Sequence, residues 1–160
     1  MNDYFYRLFS FNNWANLIVG NYMLDLRIHD ENCLKLMSHV LHAQFNWYGR
    51  IIKQQSDLPV WEPVELTALL SQLEENGTLW LEYIRTLDQN HFSKPVAYHN
   101  LAGQPFQSQI QDMLTHVVNH GTHHRGQVIR KIRELGHVPP NTDFIYYSRM
   151  FPLNSQDLRI

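Results

Sequence analysis

The stretch from Ile110 to Leu135 constrains this chain most, because a helical apolar period and a histidine cluster coincide there. Ile110, Leu114, Val117, Val128, Ile132 and Leu135 recur at the spacing of a helix seam, and the two missing members of the series are Gly121 and His124. Four of the ten histidines, His116, His120, His123 and His124, fall within this segment. Residues four apart stack on one helix face, so His116, His120 and His124 form a ladder. At about 100° per residue, His124 lies nearest the apolar stripe and His120 at its edge, with His116 and His123 round towards solvent. The phase therefore singles out His120 and His124 to point into a core. Two imidazoles one turn apart can converge on one metal ion. They can equally bond to waters and carbonyls, which is the commoner outcome for an isolated pair. A third ligand from elsewhere in the chain has to decide.

Three more segments carry the helical period. From Asp3 to Leu26 it runs through Tyr4, Leu8, Phe11, Ala15, Ile18 and Tyr22. Asp30 is a good N-cap for a second helix from Glu31 to Gln54, with Glu31 favourable in its first turn. That helix is apolar over more than half its circumference, which predicts burial on several sides. His39 and His42 fall on its polar arc, where periodicity leaves open which of them, if either, faces inward. Pro59 and Pro63 mark the crossing to a third helix, with Pro63 in its first turn, and Leu66, Leu70, Leu73, Gly77, Trp80, Ile84 and Leu87 mark the third seam. Gly77 costs about 1 kcal/mol relative to alanine, which points to a closely approaching helix or a large neighbour such as a tryptophan. Residues 88–107 break the period, and two short extended pieces around Asn100 to Gly103 make a candidate hairpin. Ser108 and Gln111 read as a capping box for the fourth helix, which Gly136 ends, with Pro139 and Pro140 beyond. The tail from Asn141 to Ile160 is aromatic enough to predict packing on the helices or on a partner chain.

At 160 residues the chain reads as one domain over 1–160, large enough to bury a core without staples. A net charge of -2 with no basic run argues against a nucleic-acid groove. The single cysteine, Cys33, suits a reducing compartment. No basic leader precedes an apolar stretch, and no apolar run approaches a membrane span, so a cytoplasmic protein that binds no membrane is expected. Four long helices with histidines on the last predict an all-α four-helix bundle with a metal site in its core.

The motifs FNNWAN (Phe11 to Asn16), SHVLHAQFNW (Ser38 to Trp47) and HVVNHGTHHRGQ (His116 to Gln127) resemble those of the DinB / YfiT family of metal-dependent four-helix proteins. Pro139-Pro140 and Asp143-Phe144 resemble that family's C-terminal segment, so the likeness spans nearly the whole chain. The resemblance implies an up-down-down-up bundle and one divalent ion, zinc or nickel, held by His39, His120 and His124. It places His42 at a variable position and His123 at a common but non-ligating one. Three neutral imidazoles leave an ion open to water or substrate, the pattern of a catalytic site. Such an ion can acidify a water or a thiol. Position 121 is glycine, so the H-E-x-x-H glutamate of a zinc protease is missing. Members of the resembled family include transferases that attach low-molecular-weight thiols to electrophiles, and thiol transfer suits a site without a base. The leading expectation is a metal-dependent thiol S-transferase in detoxification or stress response, acting on a small molecule with a low-molecular-weight thiol as cosubstrate. The alternatives are a non-catalytic metal-binding stress protein and a metal-dependent hydrolase. His123 and Gln127 beside the ion, with Arg125 and Arg130 further round, are candidates to steer polar or anionic parts of a substrate. His123 and Gln127 can instead bond waters or the ligand imidazoles. Helix 2 and the aromatic tail offer more apolar surface than one bundle core consumes, so a homodimer is expected.

Overall fold

The computed structural model describes residues 1–54 and 58–152; the last eight residues of the aromatic tail lie outside the described residues. Four long helices, α1 (Asn2–Asp25), α2 (Glu31–Ile51), α3 (Leu66–Arg85) and α4 (Ile110–Glu134), are followed by a short α5 (Phe144–Met150). A two-stranded antiparallel hairpin, β1 (Pro95–His99) and β2 (Pro105–Gln109), stands between α3 and α4. Helix α1 packs against α3 and α4, and α2 packs against the same two.

The apolar stripes assemble into two main clusters. The first joins Phe5 and Phe9 of α1, Ile51 at the end of α2, Trp80 and Ile84 of α3, and Met113 to Val118 of α4. The second joins Val19 and Met23, Met37 and Leu41, Leu69 and Leu73, and Val128 and Ile132. Helices α1 and α4 therefore run from the first cluster to the second, and α2 and α3 run the other way. Between the clusters every long helix carries buried small or polar residues: Asn12 and Asn16, Gln44, Asn76 and Gly77, and Gly121 and Arg125.

The glycines in that stretch are explained by their neighbours. A Cβ at Gly77 would lie 2.2 Å from Asn13 of α1, and one at Gly121 would lie 2.5 Å from Asn12 Oδ1. The close neighbour of Gly77 is thus an asparagine on α1, not a tryptophan. Arg125, expected on a substrate-facing surface, is 1% exposed. It occupies the seam position that periodicity assigned to His124. Its Nη1 donates to Asn12 Oδ1 at 2.7 Å and Asn16 Oδ1 at 2.8 Å, and Nη2 to Thr122 at 3.1 Å. The guanidinium also lies 5.6 Å from the Phe11 ring centre. Burial lowers its pKa to about 9, so it remains a cation at neutral pH. The seam runs through Arg125 because the paired asparagines of α1 offer a polar socket that an imidazole on a neighbouring face cannot reach.

The helix ends depart from expectation in two places. Helix α3 is capped by Glu65, whose carboxylate accepts from Thr67 N and Ala68 N, so Pro63 precedes the helix rather than opening it. Helix α4 has no capping box: Ser108 lies in β2, with its hydroxyl 3.3 Å from Tyr98 Oη. Ile110 N and Gln111 N donate to the carbonyls of Lys94 and Phe92, so the chain entering the hairpin satisfies the first turn. At the other end Gly136 takes φ +87°, the expected left-handed cap, and His137 N donates to Ile132 O. The described part of the aromatic tail packs only in part: Phe144, Ile145, Tyr146 and Phe151 remain exposed. Tyr147 of α5 is buried against Phe11 and Trp14.

Candidate metal centre

His39 of α2 and His120 and His124 of α4 meet at the α2–α4 contact. One ring nitrogen from each lies within 4.8 Å of the other two. His39 Nε2 is 3.0 Å from His120 Nε2, and the ring centres of His120 and His124 are 4.4 Å apart. These three are the only such group of potential ligands among the described residues.

Hydrogen bonds on the far side of two rings set their tautomers. His39 Nδ1 is 2.9 Å from Val60 O, a carbonyl that can only accept, so Nδ1 carries the proton and the Nε2 lone pair faces the cluster. His124 Nδ1 lies 2.8 Å from Gln127 Oε1, with the same consequence. Gln127 Nε2 in turn lies 3.3 Å from His123 Nε2, so Gln127 links His123 to His124. Partners of this kind hold a ligating imidazole in position and raise its basicity.

Burial works in the same direction. Desolvation lowers the pKa of His39 and His124, and with the neighbouring histidines it takes His120 down to about 3. Each ring is therefore neutral at physiological pH, the form a metal ion requires.

The histidine pair of α2 sits otherwise than on a solvated arc. His39 and His42 are both buried, at 8% and 7% exposure. The segment from Leu58 to Val64 folds over that arc and is fastened to it in order. Asn46 bonds both the N–H and the carbonyl of Leu58, His42 Nδ1 bonds Pro59 O, and His39 Nδ1 bonds Val60 O. Ser38 Oγ accepts from Val64 N. His42 thus holds the loop while His39 reaches the cluster.

The same loop brings Trp61, which sequence reasoning missed. Its ring stacks on His39 at 3.8 Å and an interplanar angle of 9°, yet it remains 54% exposed. The readable signal was a polar arc, Ser38, His39, His42 and Asn46, on an otherwise buried helix: such an arc needs a partner, and the neighbouring loop supplies one.

The other candidates fall around the cluster. The His116 ring centre lies 5.5 Å from that of His120 and 4.8 Å from that of Trp47. His116 stands outside the group of three. A groove of about 520 Å³ runs past Trp61 and Gln127 along Lys35, Arg130 and Lys131. Arg130 is paired there with Glu134 at 2.9 Å, and Lys35 with Glu31 at 2.6 Å.

Fold and site together define a mostly helical protein whose three clustered histidines could hold a metal ion. The DinB family model matches residues 21–156, and the chain belongs to the DinB family. It is 29% identical over 163 residues to Protein DinB of Bacillus subtilis (strain 168), covering 92% of this chain and 95% of that protein. No solved structure matches. Among the described residues no helix is long and apolar enough to cross a membrane.

Proposed function

We propose that the chain is a metal-dependent thiol S-transferase built as a single four-helix bundle of up-down-down-up course, with His39, His120 and His124 as the ligands of one zinc or nickel ion. The observation that carries this reading is the convergence of three neutral imidazoles within 4.8 Å, two of them with fixed tautomers. The donor set fits such an ion: three neutral nitrogens and no protein carboxylate leave coordination positions for a substrate. When bound, the ion would supply a Lewis acid that lowers the pKa of a thiol at neutral pH.

The chain's own residues do the rest. Val60 O and Gln127 hold the imidazoles, Trp61 shields His39 on one face, and the groove lined by Lys35, Arg130 and Lys131 receives the substrate. In the transfer the thiol gives its proton to solvent, a sulfur–carbon bond forms at the electrophile, and the bond from that carbon to its leaving group breaks, the leaving group departing with the electron pair. The cluster contains no Asp or Glu, so the acidity of a bound thiol would come from the ion itself and not from a carboxylate base.

The test is cobalt substitution. Small thiols are expected to raise a near-ultraviolet thiolate-to-cobalt band saturably in the Co²⁺ protein, and not in His120→Ala. Metal-dependent turnover of simple esters with no such band for any thiol would replace this reading by a hydrolase. A metal that only holds the fold would show itself by unfolding on chelation.

We also propose a cytoplasmic homodimer. Ile145, Tyr146, Met150 and Phe151 leave an exposed apolar surface on and after α5, of the kind that marks contacts between copies. Light scattering at micromolar concentration is expected to give twice the mass of one chain; the mass of one chain would refute it.

A further inference from the structure

A second concavity lies on the opposite face of α4. Thr122, Gly126, Ile129 and Arg133 follow one another at helical spacing about half a turn away from His120 and His124. With Phe11 of α1 and Thr142 to Phe144 before and into α5, they line a cleft of about 470 Å³ whose lining also includes Arg125.

Three features of this cleft are not fully accounted for by the described residues. The first is charge. Arg125 is a buried cation, and among the described residues neither it nor Arg133 has a carboxylate within ion-pair distance. Asp143 lies on the rim without pairing either one. A buried charge with no counter-charge is costly, and an anion relieves that cost.

The second is an unused donor. Arg125 Nη1 and Nη2 are bonded to Asn12, Asn16 and Thr122, but its buried Nε has no partner among the described residues.

The third is Gly126. A mid-helix glycine costs about 1 kcal/mol relative to alanine. At Gly77 and Gly121 the missing side chain makes room for an asparagine of α1, whereas a Cβ at Gly126 would meet nothing within 4 Å. Nothing within the described chain requires glycine there, and its effect is to keep the cleft open beside Arg125.

We propose that this cleft binds a small organic carboxylate with an apolar body. The carboxylate meets Arg133 and the Thr122 and Asn119 side chains above the buried Arg125 cation, and the body lies on Phe144 at the edge of Phe11. A second copy of the chain is the poorer occupant, because pairing this face with itself would bring the arginines of both copies together.

The test is an amide-resonance titration of the purified protein with benzoate, using benzamide as the neutral isostere. Saturable shifts of the Asn119, Thr122 and Gly126 amides are expected, with a dissociation constant below about 1 mM, and none with benzamide. Gly126→Leu, which fills the cleft with a good helix former, and Arg133→Gln should each weaken binding about tenfold or more. Gly126→Ala adds a methyl to open space only and controls for folding. Four results would overturn the proposal: no saturable shift; an equal response to benzamide; benzoate shifts confined to the His120 and His124 amides or undiminished in Gly126→Leu; or no benzoate response together with a dimer that Gly126→Leu dissociates, which would assign the face to a second copy.

Discussion

Replacing His120 by alanine is expected to empty the metal centre, and His39→Ala and His124→Ala should do the same. Each removes one of three nitrogens that meet within 4.8 Å. On the proposed reading, two ligands on neighbouring turns of α4 do not close the site without the third from α2. Losing a group that merely supports a ligand costs about 10–100-fold in metal affinity, and losing a ligand should exceed that. His42→Ala, His116→Ala and His123→Ala are the controls. His42 Nδ1 is committed to Pro59 O, and the other two stand outside the group of three. All three should keep most of the metal. Metal analysis of the purified variants decides the matter, and a full load in His120→Ala with an empty site in His116→Ala would mean that α4 presents another face.

On the same reading, the metal-loaded site should release its ion in acid. The free imidazoles are already held neutral by burial, His120 down to about 3. Protons therefore compete only below the ordinary histidine value of about 6.5, and the loss should be steep because several protons enter together. Full retention well below about pH 3, where even His120 takes up a proton, would point to ligands other than histidine.

The second large effect is expected from Arg125→Met, at a residue that touches neither the three histidines nor the groove beside them. The change removes the cation from between Asn12 and Asn16, whose side chains are 2% and 1% exposed. Their Oδ1 atoms would be left without the donor they now accept from. Stranding two buried acceptors, each costing about 1–3 kcal/mol, predicts a loss of about 2–6 kcal/mol in urea unfolding. Arg125→Lys should recover little, because one ammonium on a flexible stem does not reproduce the planar fork. Combining Arg125→Met with Asn12→Leu and Asn16→Leu should recover a good part of the loss, since no buried polar group is then orphaned. A single substitution that unfolds at the same urea concentration as the parent would show that the socket contributes nothing.

Much of this was legible in the residues. Apolar spacing located all four long helices within a few residues of their observed ends, because a helix buries one stripe whatever it packs against. Gly136 announced the end of α4, since only a residue tolerant of φ +87° fits there cheaply. The phase of α4 put His120 and His124 on one side of the helix, and that side is where they meet His39.

Tertiary structure decided the rest. Periodicity describes one helix about its own axis and is blind to which neighbour meets each face. It could not tell His124 from Arg125 as the seam residue, because the choice rests on two asparagines more than a hundred positions away in sequence. It could not separate His39 from His42, because both lie on one arc and the difference is made by which carbonyl of the loop from Leu58 to Val64 each ring meets. Nor could it foresee that α4 would need no capping box, since the carbonyls of Lys94 and Phe92 reach its first turn only after the hairpin has folded back. The sequence by itself determined where the helices lie and which side of each is apolar; the packing of those helices, with the loop that crosses α2, decided which polar groups met one another.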